Sequence, residues 1–200
     1  MQVPFLSYED IKLKASEVLS DSTYRDDVPV QIELIVENDY QIEIVPIRGL
    51  QARYEIDAFI SCDLSTISVD EVVLESRINR YRFSLAHELG HRVLHEKILS
   101  RIDFQLIDQW KEFIDSIPDK EYGFLEYQAS TFANLLLIPQ DKLEICFNEA
   151  VEKIVEAGMV PRDSPDVCLD YIGTNLSKYF QVSAHAMKIR FNKDNFKEKF

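Results

Sequence analysis

Apolar positions near the start of the chain recur at helical spacing and then give way to alternation. Over residues 8–19, Ile11, Leu13, Ala15, Val18 and Leu19 fall in a loosely helical pattern, which predicts a first helix. Pro29 suits the first turn of a second, short helix carrying Ile32, Leu34 and Ile35. The period then changes. Residues 40–47 alternate through Ile42, Ile44 and, less strictly, Ile47, while 52–61 and 65–70 are rich in β-branched and aromatic residues. Three short strands in a small antiparallel sheet are predicted. From residue 77 helical spacing returns and persists. Residues 77–100 contain no proline, and Phe83, Ala86, Leu89, Gly90, Val93 and Leu94 line one apolar flank. Further helices are expected over 121–138, ended by Pro139, over 140–157, ended by Gly158, and over 165–180 and 183–191. Strands first and helices after predict an α+β domain, with the sheet beside a mainly helical unit.

Composition adds limits to that outline. With 200 residues, 5 glycines and no Ser-rich, Pro-rich or repeated stretch, the chain reads as one compact unit able to bury a proper core. Cys62, Cys146 and Cys168 are odd in number and have no C-x-x-C spacing, so they suggest neither a disulfide framework nor a cysteine metal site. They read as buried fillers in a reducing compartment. Residues 1–20 carry acids and lysines at close intervals and no long apolar run, which leads to the expectation of a cytoplasmic protein. The formal charge of −13 repels nucleic-acid phosphates and anionic lipid, so neither a direct nucleic-acid role nor a membrane role is expected. A basic protein partner suits it better.

The chemistry concentrates at His87-Glu88-Leu89-Gly90-His91, an H-E-x-x-H sequence. On a helix the two histidines share a face and can offer imidazole nitrogens to one zinc ion. Glu88 is turned by about 100° and can reach a metal-bound water as general base. A catalytic zinc needs a third protein ligand. His95 lies eight residues beyond His87, roughly 12 Å along the axis, which suits packing or support of a ligand better than ligation. A carboxylate on the next helix suits ligation. There Glu126, Ala129, Ser130 and Ala133 share a face that is small except for the acid, with Glu121 as the fallback.

The run from Arg80 through His91, followed by Leu94 and His95, resembles the active-site helix of the ImmA/IrrE family of metallopeptidases. Glu126, Ala129, Phe132, Ala133, Leu136 and Pro139 resemble its second signature, and Tyr179 to Ser183 with Ala186, Met187, Arg190 and Phe191 its closing segment. The resemblance spans roughly residues 27–192, which sets off 1–26 as a helical extension and 193–200 as a charged tail. It implies a zincin-like, gluzincin-type domain with Zn2+ held by His87, His91 and Glu126, and with Glu88 as the base. It also implies a substrate: members act on helix-turn-helix repressors, often encoded beside them in prophages, other mobile elements, toxin-antitoxin loci or stress-response operons, and cleavage relieves repression. Many members carry a fused helix-turn-helix domain. Residues 1–26 are too short for one, so the repressor is expected to be a separate chain.

Other readings predict different behaviour. The chain could be a zinc-stabilised module that sequesters its partner without cutting it. Alternatively, residues 171–190 could form a DNA-binding helix-turn-helix, with Leu176, Phe180, Val182 and Met187 as its core and Lys178, Lys188, Arg190 and Lys193 as its charge. For a peptidase, a second electrophile beside the metal is also needed. Tyr122, Tyr127, Arg82 and His185 are the possible donors, and the sequence does not rank them.

Overall fold

The computed structural model of the protein describes residues 3–100 and 107–200. Helix α1 (Tyr8–Asp21) opens with a capping box: Ser7 accepts from the Asp10 N–H, and Asp10 accepts from the Ser7 N–H. Its buried face of Ile11, Ala15, Val18 and Leu19 joins the main core and packs on α7 (Asp119–Leu137), so this first helix is part of the central packing. A single helical turn, α2 (Ile32–Leu34), runs on as a π-helical turn over Ile35–Asp39, with Pro29 lying ahead of it.

The sheet differs from its expected form. Strands β1 (Glu43–Ile47), β2 (Ala58–Ile60) and β3 (Thr66–Asp70) lie in the order β1-β3-β2, with β1 parallel to β3 and β2 antiparallel to it. The sheet is therefore mixed, not antiparallel. Part of the stretch read as strand over 52–61 is instead a short helix, α3 (Leu50–Tyr54). Gly49 enters it at φ 75°, in the left-handed region that glycine adopts without a Cβ clash. With a helix inserted after β1, the chain crosses to the far side of β3 before β2 begins, and the two outer strands run in opposite directions. Alternation of side chains carries no information on strand direction, which is why the pattern missed it.

One carboxylate organises the way out of the sheet. Asp70, the last residue of β3, caps α4 (Glu71–Ser76) by accepting from the N–H groups of Val72 at 3.0 Å and Val73 at 3.2 Å. Its other oxygen accepts from the Gln51 N–H at 3.0 Å and ties α3 to the same point. Burial works against the ionised form, but these donors outweigh it and hold the carboxyl below its usual range.

Helix α5 (Ile78–Leu99) carries the H-E-x-x-H sequence and packs against α7, β2, β3, α2 and α4. Buried Arg82 binds it to its surroundings, donating to the carbonyls of Val30 at 2.8 Å and Gln181 at 3.3 Å. The tightest contact is with α7. A Cβ at Gly90 would stand 3.1 Å from the Phe132 ring and 3.2 Å from both Cα and O of Ala129. Glycine is thus required by a close approach of two backbones. Beyond α5 come α6 (Ile107–Ser116), which is not among the expected helices, and then α7, α8 (Gln140–Glu156), α9 (Pro165–Tyr179) and α10 (Ala184–Lys193).

The α9–α10 pair buries Leu176, Phe180, Val182 and Met187 in the main core. Arg190 is also withdrawn from the surface, with its guanidinium against Asp194, Gln140 and the Tyr8 hydroxyl. Lys188 pairs with Asp170 at 3.8 Å, and Lys193 sits over the Tyr127 ring. Of the four cations proposed for a DNA-facing surface, one is therefore buried and two are engaged. In the 193–200 segment, Phe196 is fully buried against Phe147, with 4.8 Å between ring centroids, so an aromatic anchor fixes the charged tail to the core. Among the described residues no helix is long and apolar enough to cross a membrane.

These contacts set the expected effects of substitutions at Gly90, Gly123 and Asp70. Gly90→Ala gains helix propensity of about 1 kcal/mol, but the Ala129 backbone cannot retreat as a side chain can, so net destabilisation of about 1–2 kcal/mol is expected. Gly123→Ala, on the open face of α7, meets nothing within 4 Å and should raise stability by up to about 1 kcal/mol. Urea titrations that gave both variants the same sign would refute the close crossing. Asp70→Ala should cost about 1–2 kcal/mol in the same assay. Because the folded-state pKa of Asp70 is depressed, its contribution is present above the unfolded value of about 3.9 and is lost as pH falls through the folded value. The gap between wild type and Asp70→Asn should therefore shrink only in that acid range.

Candidate metal centre

His87 and His91 stand one turn apart on α5 with their rings edge to face, 4.8 Å between centroids. Their Nε2 atoms approach to 3.1 Å. Glu126 reaches across from α7, placing Oε2 3.3 Å from His87 Nε2 and Oε1 3.5 Å from His91 Nε2. Among the described residues these three form the one group whose donor atoms could hold a metal ion, all lying within 4.8 Å of one another. Donors 2.0–2.1 Å from a single tetrahedral ion stand roughly 3.3 Å apart. The two Nε2 atoms, at 3.1 Å, match that spacing, and each lies within 3.5 Å of one oxygen of the Glu126 carboxylate, so the donor set fits zinc in its chemistry and brings its atoms close to the required distances.

The small residues on the Glu126 face have separate tasks. Ala129 lies against Gly90 and lets the helices close, and Ser130 Oγ lies 3.3 Å from His87 Nδ1. His91 Nδ1 contacts His95 Nδ1 at 2.9 Å, and His95 Nε2 contacts Gln128 Oε1 at 2.9 Å. His95 thus lies outside the donor group and touches it from behind. Burial, with the neighbouring His91, pushes its pKa down to about 4, which keeps the ring neutral. Glu121, the fallback donor, is also outside the group; its Oε2 accepts from the Val3 N–H at 2.5 Å.

Electrostatics separates the two glutamates. For Glu126, burial opposes ionisation, yet its contacts with the imidazoles of His87 and His91 prevail and hold the carboxyl far below its ordinary range. Burial also opposes the charged form of His87, and its hydrogen bond to Glu126 and the charges of Glu88 and Glu126 raise its pKa in spite of that. Glu88 behaves otherwise. Its burial lifts the carboxyl above the usual range, against the lowering effect of His87 and His91. Its Oε2 accepts from the Ile60 N–H at 3.0 Å, so the edge strand of the sheet positions the acid.

These groups line a cleft of about 350 Å3 between α5, α7, β2 and α6. Trp110, Phe113 and Ile114 of α6 form one wall, with Trp110 stacked 5.5 Å from Phe59 of β2. This wall was missed, although Trp110, Phe113 and Ile114 stand at i, i+3 and i+4 among polar residues, an amphipathic signal legible in the sequence. The cleft also ranks the four candidate electrophiles. Tyr122 lines it beside Glu88 and Glu126, and no described residue hydrogen-bonds its hydroxyl. Burial and the charges of Glu126 and Glu88 push its pKa up to about 12, so the hydroxyl keeps its proton. Tyr127 is exposed and bonded to Lys193, Arg82 is tied to backbone carbonyls, and His185 borders a separate depression with Asp170 and Lys188.

A larger groove of about 620 Å3 lies between α8 and α9. It assembles no metal-ligating group, so chemistry and not size singles out the cleft. A search of curated proteins gives no match. A family model does match: the IrrE N-terminal-like domain, Peptidase_M78, aligns with residues 74–192, more than half of the chain, from before α5 to the penultimate residue of α10. With an H-E-x-x-H helix, a carboxylate meeting it from α7 and that match in the same segment, the chain belongs to the IrrE N-terminal-like family of peptidases.

Proposed function

We propose that the protein is a zinc-dependent endopeptidase that cleaves a separate helix-turn-helix transcriptional repressor in the cytoplasm and so relieves repression. The observation that carries the reading is the convergence of His87, His91 and Glu126 with the buried acid Glu88 in one cleft. A zinc ion held by the three donors would acidify water and polarise a peptide carbonyl.

The remaining work falls to the chain's own side chains. Glu88 is the general base: Ile60 fixes its Oε2, and a raised pKa brings the carboxyl closer to neutral pH, where proton acceptance and return are both accessible. The proton taken at Oε1 is then delivered to the leaving amine. Tyr122, with its proton retained, donates to the carbonyl oxygen as that atom gains negative charge. The inter-strand bonds at Asp57 and Ser61 leave the backbone groups of Ala58 and the Ile60 carbonyl unpaired with β3 on the outer side of the strand, where an extended substrate segment can lie along it. Family membership and the net charge of −13, which complements the basic faces of DNA-binding proteins, support a repressor as that substrate.

The test is incubation of the zinc-loaded chain with any helix-turn-helix protein that an adjacent reading frame encodes, followed by gel electrophoresis. Glu88→Gln should bind zinc as the wild type does and cut about a hundred to ten thousand times more slowly. Equal cutting by wild type and Glu88→Gln would refute the hydrolytic role; an intact partner held tightly by wild type would make the chain a sequestering module. Tyr122→Phe should lower kcat about a hundredfold with KM little changed, whereas Tyr127→Phe should leave both as they were. Steady-state kinetics in which Tyr122→Phe matched wild type would remove Tyr122 from the mechanism.

A further inference from the structure

The polar chain behind His91 has one consistent direction. Gln128 Nε2 donates to the Pro4 carbonyl at 2.9 Å, and a carbonyl oxygen can only accept, so the amide is oriented with Oε1 towards His95. That Oε1, also an acceptor only, lies 2.9 Å from His95 Nε2, which must therefore carry the hydrogen. In the neutral ring Nδ1 is then a bare lone pair. It faces His91 Nδ1 at 2.9 Å, which must in turn be the donor. His91 is left with its lone pair on Nε2, the atom that meets His87 and Glu126.

We propose that Gln128 and His95 are positioning residues: they form a directional relay, anchored at the Pro4 carbonyl, that holds His91 in the form that ligates a metal through Nε2. The proposal rests on the metal reading above and concerns what that reading leaves open, namely how one imidazole is fixed in its ligating form. A ligating histidine commonly donates its second N–H to a carboxylate, a backbone carbonyl or water. Here a second imidazole and an amide carry that bond to a carbonyl two residues further along the relay.

His95 and Gln128 are each only 1% exposed, so water does not compete for their bonds. The anchor is pinned from the preceding residue: Val3 is buried with Ile117 and Leu125, and its N–H is held by Glu121. Pro4 lies well before residue 74, so the anchor comes from outside the segment that the family model covers. His87 differs. Its Nδ1 partner is the Ser130 hydroxyl, which donates or accepts equally well and so dictates no tautomer. The relay thus makes the two histidines unequal.

Nitrogen-15 NMR of the histidine rings in the full chain tests this directly. In the zinc-loaded chain His95 is expected as the Nε2-protonated form and His91 as the Nδ1-protonated form; a His95 ring protonated at Nδ1 overturns the relay. Zinc affinity by chelator competition is the second measurement. His95→Leu and Gln128→Met should weaken binding about 10- to 100-fold. His95→Asn, whose Oδ1 stands where the acceptor Nδ1 stood, should remain within a few-fold of wild type. Equal affinity in wild type, His95→Leu and Gln128→Met overturns the relay while the metal reading stands. A wild-type chain that binds no zinc overturns the metal reading and the relay with it. Since His95→Leu alters a buried polar site, the ring measurement on the unaltered chain decides the question whether or not that variant folds.

Discussion

The approach of α5 to α7 at Gly90 and Ala129 is the contact on which the site depends. Two helices whose backbones come this close bring the roots of their side chains close as well, and a short acid such as Glu126 can then meet Nε2 atoms on the facing helix. A methyl group at position 90 would meet Ala129 backbone atoms at 3.2 Å, and separation of the helices would act first on the two His to Glu distances. Leu85, Leu89, Phe132, Ala133 and Leu136 are completely buried around the crossing and hold it shut. The meeting of His87, His91 and Glu126 is therefore a consequence of core packing, with one glycine as the permissive element.

Around that crossing the protein sorts its titratable groups by environment. Glu126 lies against two imidazoles and stays ionised; Glu88, one residue from His87, is buried with a single backbone donor and is shifted the other way. Two carboxylates in one cleft thus acquire opposite shifts, one favouring the anion and the other the protonated form. The sheet takes part through Ile60, whose N–H is free for Glu88 because β2 is an edge strand and Ile60 is not among its bonded positions with β3. The N-terminal residues take part through Pro4. Elements far apart in the sequence therefore fix the orientation of individual atoms at the centre.

Much of the donor set was legible in the chain. His87, Glu88 and His91 follow from spacing on one helix, and Glu126 from a face made small by Ala129, Ser130 and Ala133. These inferences are local: helical periodicity alone puts the residues on one side. The direction of β1 was not legible, because alternation of side chains is the same in parallel and antiparallel strands. Helix α6 was readable from Trp110, Phe113 and Ile114, but its place over the cleft depends on the contact between Trp110 and Phe59, which lie fifty-one residues apart in the numbering. Ser130 and Gln128 looked like ordinary polar residues of a helix, and nothing local says that their partners are His87, His95 and Pro4.

The sequence by itself determined the kind of chemistry available, because ligand identity and helical spacing are properties of neighbouring residues. It also placed the chain among metallopeptidases through motifs that are contiguous or nearly so. Only the tertiary structure decided that Tyr122 and not Tyr127, Arg82 or His185 lines the cleft, and that His91 is the residue His95 supports from behind. Each of these choices depends on distances between elements, and such distances are set by how closely backbones pack, which periodicity does not encode.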